Sequence, residues 1–281
     1  GVKNWSACMS MARRDFILMI GDDDRVNFLS APEGFIGDLP YSHIGIRPMF
    51  IPFTKKQGIL SVESFSTDAE TAKERIKQYF SMNNGRNLSF YSIYRRTIFL
   101  ELMCEFYDLH PTKAGYTDWP LALALVSMGK IKLNTNVIFY YNMDNWTSKE
   151  VIRASNEGIY RSAGLPLEAM CIQGALIALD AFALIARKKS PLSAVEKYEA
   201  SMYAMNLYFD SVIVDLKNNK DMLIADKVKL SLQLLEADSC DDLQKLIRLL
   251  SVVETWIPGL AKKYQDYFVQ IIDPDILDIL K

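Results

Sequence analysis

The sequence predicts an α/β domain followed by an all-α domain, and three observations carry that prediction. Fifteen of the twenty-three Gly and Pro residues fall before Thr147, where strand-like and helix-like stretches alternate. From Thr147 onward strand signals vanish and apolar residues recur at helical spacing over long stretches with few breakers. Near the start, the apolar run Phe16-Ile17-Leu18-Met19-Ile20 leads straight into Gly21-Asp22-Asp23-Asp24. That is a strand ending in carboxylates, the edge at which open α/β sheets place their ligands. The boundary is drawn at Trp146, giving domains 1–146 and 147–281.

The elements follow in order. The continuous apolar run over 16–20 predicts a strand covered on both faces, as in a parallel sheet. Ile44 to Phe53 and Ile59 to Phe65 read as strands, with Pro48 and Pro52 demoting the first to an edge or loop-like strand. Thr67-Asp68-Ala69-Glu70 has capping-box spacing, and Ala69, Ala72, Ile76, Tyr79 and Phe80 keep a helical period, which predicts a helix over about 68–81. Asn83-Asn84-Gly85-Arg86 is a turn by composition. Leu88 to Tyr94 reads as a strand, and Thr97 to Tyr107 as a helix. Thr117 or Asp118 opens a further helix that should end at Gly129 with a left-handed cap, before a long strand over Ile131 to Tyr141. In the second half, helices are expected over about 148–162, 166–188, 193–218, 221–237, 240–255 and 258–271, with an amphipathic end from Asp273 to Leu280.

Bulk properties exclude several function classes. A net charge of -2, with Lys and Arg dispersed, provides no field for wrapping nucleic acid. Cys8, Cys104, Cys171 and Cys240 form no CxxC pair and are expected as reduced core residues. The apolar stretch Met170 to Ala186 carries Asp180 and is short for a bilayer span, so it is expected as a buried helix rather than a transmembrane segment. The chain is expected in the cytoplasm, at most peripheral to a membrane, with the helical half offering a surface for self-association. Tyr198, Met202, Met205 and Tyr208 read as a core seam on one of its helices.

Three consecutive acids repel one another unless a cation sits among them, and hard divalent ions take carboxylate oxygens together with substrate phosphates. Asp22, Asp23 and Asp24 therefore predict a metal-diphosphate site, with Mg²⁺ or Mn²⁺ on Asp22 and Asp24. The structural alternative is that Asp23 or Asp24 caps a helix beginning near Val26.

The chain resembles the family 2 glycosyltransferases of the GT-A fold over roughly residues 4–142. The resemblance rests on the helix-like Asn4 to Asp15, the apolar strand into Asp22-Asp23-Asp24, and, downstream, Tyr116-Thr117-Asp118-Trp119 at a helix start, followed by Gly129-Lys130-Ile131 and a strand ending in Tyr. It implies a partial, Rossmann-like nucleotide-sugar domain of the bacterial polysaccharide-synthesis type. The acidic triplet would be the DxD element holding the metal of a nucleotide-sugar donor. Asp118 would be the general base that deprotonates an acceptor hydroxyl and inverts the anomeric carbon. The family's strands ahead of the DxD element have no counterpart in this sequence, so the chain is expected to be incomplete at that end. The family's paired acid appears here as Thr117-Asp118.

Further candidates surround these. Trp119 would stack on an acceptor sugar or pack as a first-turn core residue. Arg95 and Arg96 at a strand-to-helix junction would contact phosphate or stay solvated. His110 is a possible extra metal ligand, though hard cations favour oxygen. Two other functions compete. One is a binding or assembly module on a degenerate domain. The other is a Mg²⁺-dependent nucleotide hydrolase, which should carry a phosphate loop that the sequence lacks.

Overall fold

A computed structural model describes residues 2–113, 116–218, 225–236 and 241–279. Its contacts divide into two compact units, Gly1–Cys104 with Leu125–Glu157 and Glu105–Ala124 with Gly158–Lys281. The architecture is mixed α/β with a helical part. The segment 105–124, read from sequence as part of the α/β half, is grouped with the helices.

The chain opens with α1 (Val2–Met11), β1 (Phe16–Leu18) and, after the acidic turn, β2 (Arg25–Phe28). Then come α2 (Pro32–Ile36), the long β3 (His43–Thr54), β4 (Gly58–Ile59) and α3 (Ala72–Asn83). β5 (Ile93–Arg95) leads into α4 (Arg96–Leu109), which ends in the second unit. α5 (Asp118–Met128) starts in the second unit and ends in the first, where β6 (Lys130–Asn142) and the start of α6 (Lys149–Ser162) follow.

The first unit is built on one sheet of order β1-β5-β3-β6-β2, with β4 paired to β3 off that path. Only β3 and β6 run parallel; the other pairings are antiparallel. This corrects two expectations. β1 is an edge strand, half-buried along its length, and Ile20 beyond it is 48% exposed, because an apolar run alone does not distinguish a central strand from an edge. Conversely, β3 is the centre of the sheet despite its prolines. Its partner on β6 jumps from Asn134 opposite Pro48 to Ile138 opposite Met49, so the residue without an N–H sits at an irregularity where the ladder is already broken. Leu39, Ile46, Ile93 and Val137 form one core cluster of this sheet, and Phe50, Leu88 and Phe139 another.

Four further local readings are corrected by tertiary partners. The helix expected from 68 starts at Ala72 instead, because a second Thr-x-x-Glu, Thr71 to Glu74, does the capping: Thr71 Oγ1 accepts the Glu74 N–H at 3.3 Å. Thr67 is held out of the helix by paired backbone bonds with Ile131. The strand expected over 88–94 is a 3-10 turn over Asn87–Tyr91 followed by β5, with the Ser89 N–H bonded to the Tyr79 hydroxyl and its carbonyl to that of Tyr94. The strand expected over 59–65 shrinks to β4 plus a bridge between Phe50 and Glu63. Nor is Gly129 left-handed. The last carbonyls of α5 are capped instead by the buried Arg75 of α3, which donates to Val126 O at 3.1 Å and to Ser127 O, and also to Ala69 O and Glu70 O.

A second buried arginine, Arg47 on β3, lies between the rings of Phe50 and Phe65, 4.6 and 4.0 Å from their centroids, and pairs with Glu63 at 2.9 Å. Burial pushes the Arg47 guanidinium below its usual range. Its Nε and Nη1 have no hydrogen-bond partner among the described residues.

The second unit holds a 3-10 segment at Leu167–Ile172, α7 (Gln173–Ile185), α8 (Ala194–Asn218), α9 (Ala225–Leu235), α10 (Asp242–Trp256), α11 (Leu260–Ile271) and α12 (Pro274–Ile279). Every residue of α7 from Gly174 on is buried, Asp180 included. Among the described residues, Leu167–Ile185 is the one span long and apolar enough to cross a membrane, and 83% of its apolar window is buried. The ends of α7, α8 and α11 are stitched together. Lys197 Nζ bonds Asp273 at 2.7 Å and the Lys188 carbonyl at 3.3 Å, and Arg187 pairs with Ile272 in a β-bridge. Met202, Met205 and Tyr208 are buried as the seam on α8 requires, with Tyr198 at its margin. Cys171 is buried, but Cys8 and Cys104 are exposed, which corrects their reading as core residues, and Cys240 lies outside the described residues.

Candidate functional site

The acidic turn is a built feature of the first unit. The Asp24 N–H closes a turn onto Gly21 O at 3.3 Å, and the Asp24 carboxylate is held from two sides, Oδ2 by the Gly21 N–H at 3.3 Å and Oδ1 by the Asn142 N–H at 2.9 Å. A Cβ on Gly21 would stand 2.8 Å from that Oδ2, so a side chain there would push the carboxylate from its place. Asp24 is half-buried, while Asp22 and Asp23 are exposed. Desolvation, together with the charges of Asp23 and Asp22, holds the Asp24 carboxyl above the usual carboxylate range, and the two N–H donors offset only part of that. The alternative of a helix cap is corrected: Arg25–Phe28 is a strand, paired with Val137 to Tyr140 of β6, and no helix starts near Val26.

Among the described residues no group of three or more His, Cys, Asp and Glu is arranged to hold a metal. The turn offers one oriented carboxylate and two exposed ones, a set that suits an ion completing its shell with water and substrate phosphate. Beside the turn, Arg25, Asn27, Phe53, Ile59 and Tyr140 line a cleft of about 350 Å³ on the sheet face. Asn142, which pins Asp24, pairs with Phe53 of that cleft.

Arg95 contacts backbone. Its Nε donates to His43 O at 2.9 Å and its Nη2 to Leu39 O and Pro40 O at 3.0 and 3.1 Å, with the rings of Phe16 and Tyr41 beside the guanidinium. Arg96 opens α4, its N–H bonded to Asp15 O, and its buried Nε has no hydrogen-bond partner among the described residues.

Asp118 and Trp119 begin α5 in the second unit, both half-buried. Gly115, just before Tyr116, lies outside the described residues. Trp119 lines a cleft with residues of α7 and α8.

His110, at the end of α4, is committed elsewhere. Its Nδ1 accepts the N–H groups of Thr112 and Lys113 at 3.3 and 2.9 Å, which places the proton on Nε2, 2.9 Å from Asp180 Oδ1. The Tyr264 hydroxyl donates to the same oxygen at 2.8 Å and continues to Tyr116 at 3.4 Å, whose hydroxyl meets Thr112 Oγ1 at 2.6 Å. Burial first, and then the charge of Asp180, hold both tyrosines well above their usual range, so they remain donors. This network was not anticipated. Its one visible trace in the sequence is Asp180, a lone acid inside an apolar helix.

Comparison with family models, curated proteins and solved structures finds no match to this chain.

Proposed function

We infer that the protein is a metal-dependent, inverting glycosyltransferase acting on a nucleotide-sugar donor and an acceptor hydroxyl. The observation that carries this reading is the acidic turn. Its Asp24 carboxylate is aimed by two backbone N–H groups and disfavoured as a free anion, and the exposed carboxylates of Asp22 and Asp23 precede it. Such a turn gains from a divalent cation more than ordinary surface acids do. Asp22 and Asp24 would hold Mn²⁺ or Mg²⁺, and Asp23 would add negative charge to the site. When bound, the ion would supply Lewis-acid neutralisation of a diphosphate leaving group.

The chain's own residues would do the rest. As the family resemblance implies, Asp118 would accept the proton of the acceptor hydroxyl as its oxygen bonds to the anomeric carbon, and the bond from that carbon to the diphosphate would break, its electron pair leaving with the nucleoside diphosphate. Arg25, which makes no ion pair among the described residues, lines the cleft beside the turn and would meet a phosphate or ribose edge there. The GT-A architecture, the donor nucleotide and the bacterial polysaccharide context belong to this reading.

Calorimetric titration of UDP and GDP in Mn²⁺ and then in EDTA tests it. One of the nucleotides is expected to bind only with the metal, and Asp22→Ala combined with Asp24→Asn is expected to abolish that binding. Equal binding in EDTA, or undiminished binding by the double variant, would overturn the metal-diphosphate assignment. Asp118→Asn is expected to keep metal-dependent nucleotide binding.

A further inference from the structure

We propose that the cleft lined by Trp119 in the second unit binds a hexopyranose ring. Its volume is about 340 Å³, at the small end for ligand pockets and suited to a single ring. The walls are two facing helix stripes, Gln173 and Ile177 on α7 and Tyr208, Ser211 and Asp215 on α8, each set at helical spacing. Gly174 lets them come together. A Cβ there would stand 3.1 Å from Val212 Cγ2 and 3.3 Å from Ser211 Oγ, so the cleft is shaped by a deliberate close approach of α7 and α8.

Trp119 differs from the molecule's packed indole. Trp256 is 2% exposed and its Nε1 donates to Ser231 Oγ at 2.8 Å, whereas Trp119 is half-buried and its indole N–H makes no hydrogen bond among the described residues. A flat face and a donor are therefore both presented at the cleft, and the C–H face of a pyranose packs on such a surface.

The polar groups match hydroxyls. Gln173 Oε1 accepts the Tyr160 hydroxyl at 3.1 Å, which fixes the amide and leaves its NH₂ to donate. Ser211 gives its proton to Tyr208 O at 2.7 Å and keeps lone pairs to accept. Asp215 at the rim accepts strongly, and burial of one side holds its carboxyl above the usual range. A sugar hydroxyl, both donor and acceptor, satisfies all three. A lipid chain would give the Gln173 amide N–H no acceptor, and among the described residues no Arg or Lys lines the cleft to meet a phosphate. A quaternary ammonium would suit Trp119 and Asp215 but would leave the Gln173 donor and Ser211 without a role.

Ring binding stands on this cleft alone; its assignment to the acceptor's sugar rests on the transferase reading. The test is titration of methyl glucoside, galactoside, mannoside and N-acetylglucosaminide into the full chain in EDTA without nucleotide, followed by tryptophan fluorescence and saturation-transfer NMR. Tetramethylammonium serves as a parallel probe. Saturable binding of at least one glycoside is expected, weakened about tenfold by Trp119→Ala and by Asp215→Ala. Because Asp215 is at the exposed rim, its variant keeps the test valid if Trp119→Ala fails to fold. No saturable glycoside binding, binding that both variants retain, or binding of tetramethylammonium in place of the glycosides would overturn the proposal. With metal and nucleotide both absent, failure here leaves the UDP and GDP titration standing, and failure there leaves this one standing.

Discussion

The two units treat their aspartates in opposite ways. In the first, Asp22 and Asp23 stand in water, and Asp24 is half-buried beside them, tied among the described residues to two backbone N–H groups. In the second, Asp180 is fully buried, with His110 Nε2 at 2.9 Å and the Tyr264 hydroxyl at 2.8 Å. The difference separates two uses of a carboxylate. One with exposed acidic neighbours and spare lone pairs is open to a cation, whereas one enclosed by donors fixes the packing around it.

Four predictions press on that contrast, from the largest effect to the smallest. Asp180→Ala removes the acceptor of the buried Tyr264 hydroxyl and the close partner of His110 Nε2, and is expected to cost about 3 kcal/mol in urea unfolding. A loss under about 1 kcal/mol would mean that the network contributes no more than an ordinary hydrogen bond. Arg75→Met, which uncaps the end of α5, is expected to cost about 2–3 kcal/mol, against near neutrality for the exposed Lys77→Met.

The acidic turn should behave otherwise. Asp24→Asn preserves an acceptor for the Asn142 N–H and removes the crowded charge, so unfolding is expected to shift by no more than about 0.5 kcal/mol, while Mn²⁺-dependent nucleotide binding disappears. A variant that unfolds would place Asp24 with Asp180 as a structural acid.

The smallest effect is in pH dependence, and its sign differs between two aspartates. The Asp24 pKa is raised, so its contribution is present below about 3.8 and lost as pH rises through its higher folded value. The Lys197 hydrogen bond lowers Asp273, so its contribution is present above about 3.8 and is lost as pH falls through its folded value below that. Urea midpoints measured from pH 3 to 7 should therefore flatten in opposite directions for Asp24→Asn and Asp273→Asn. Parallel changes in the two variants would remove the distinction.

Local signals made much of the fold legible. The helices over 96–109, 149–162 and 194–218 repeat their apolar residues along a single element, and the strand over 130–142 is apolar and β-branched enough to stand out. The acidic turn was legible too, because a strand running into three acids is a local pattern. Its anchor was not. The N–H that aims Asp24 comes from Asn142, on a strand paired with the turn's own continuation, and sequence spacing does not encode that pairing.

By itself, then, the sequence determined most of the long helices, that the acids follow an apolar strand, and that the described residues of the second half are built from helices, since each follows from contacts within one element. Tertiary structure decided the rest. It chose Thr71 over Thr67 as the start of α3, because the Thr67 backbone pairs with Ile131. It put β3 in the middle of the sheet, because the β6 register breaks beside Pro48. It made Asp180 the centre of a polar cluster, because His110 and Tyr264 reach it from distant parts of the chain. Each of these depends on a polar group finding its partner across a long loop, and a backbone or buried polar group is satisfied by whichever partner the folded chain brings near.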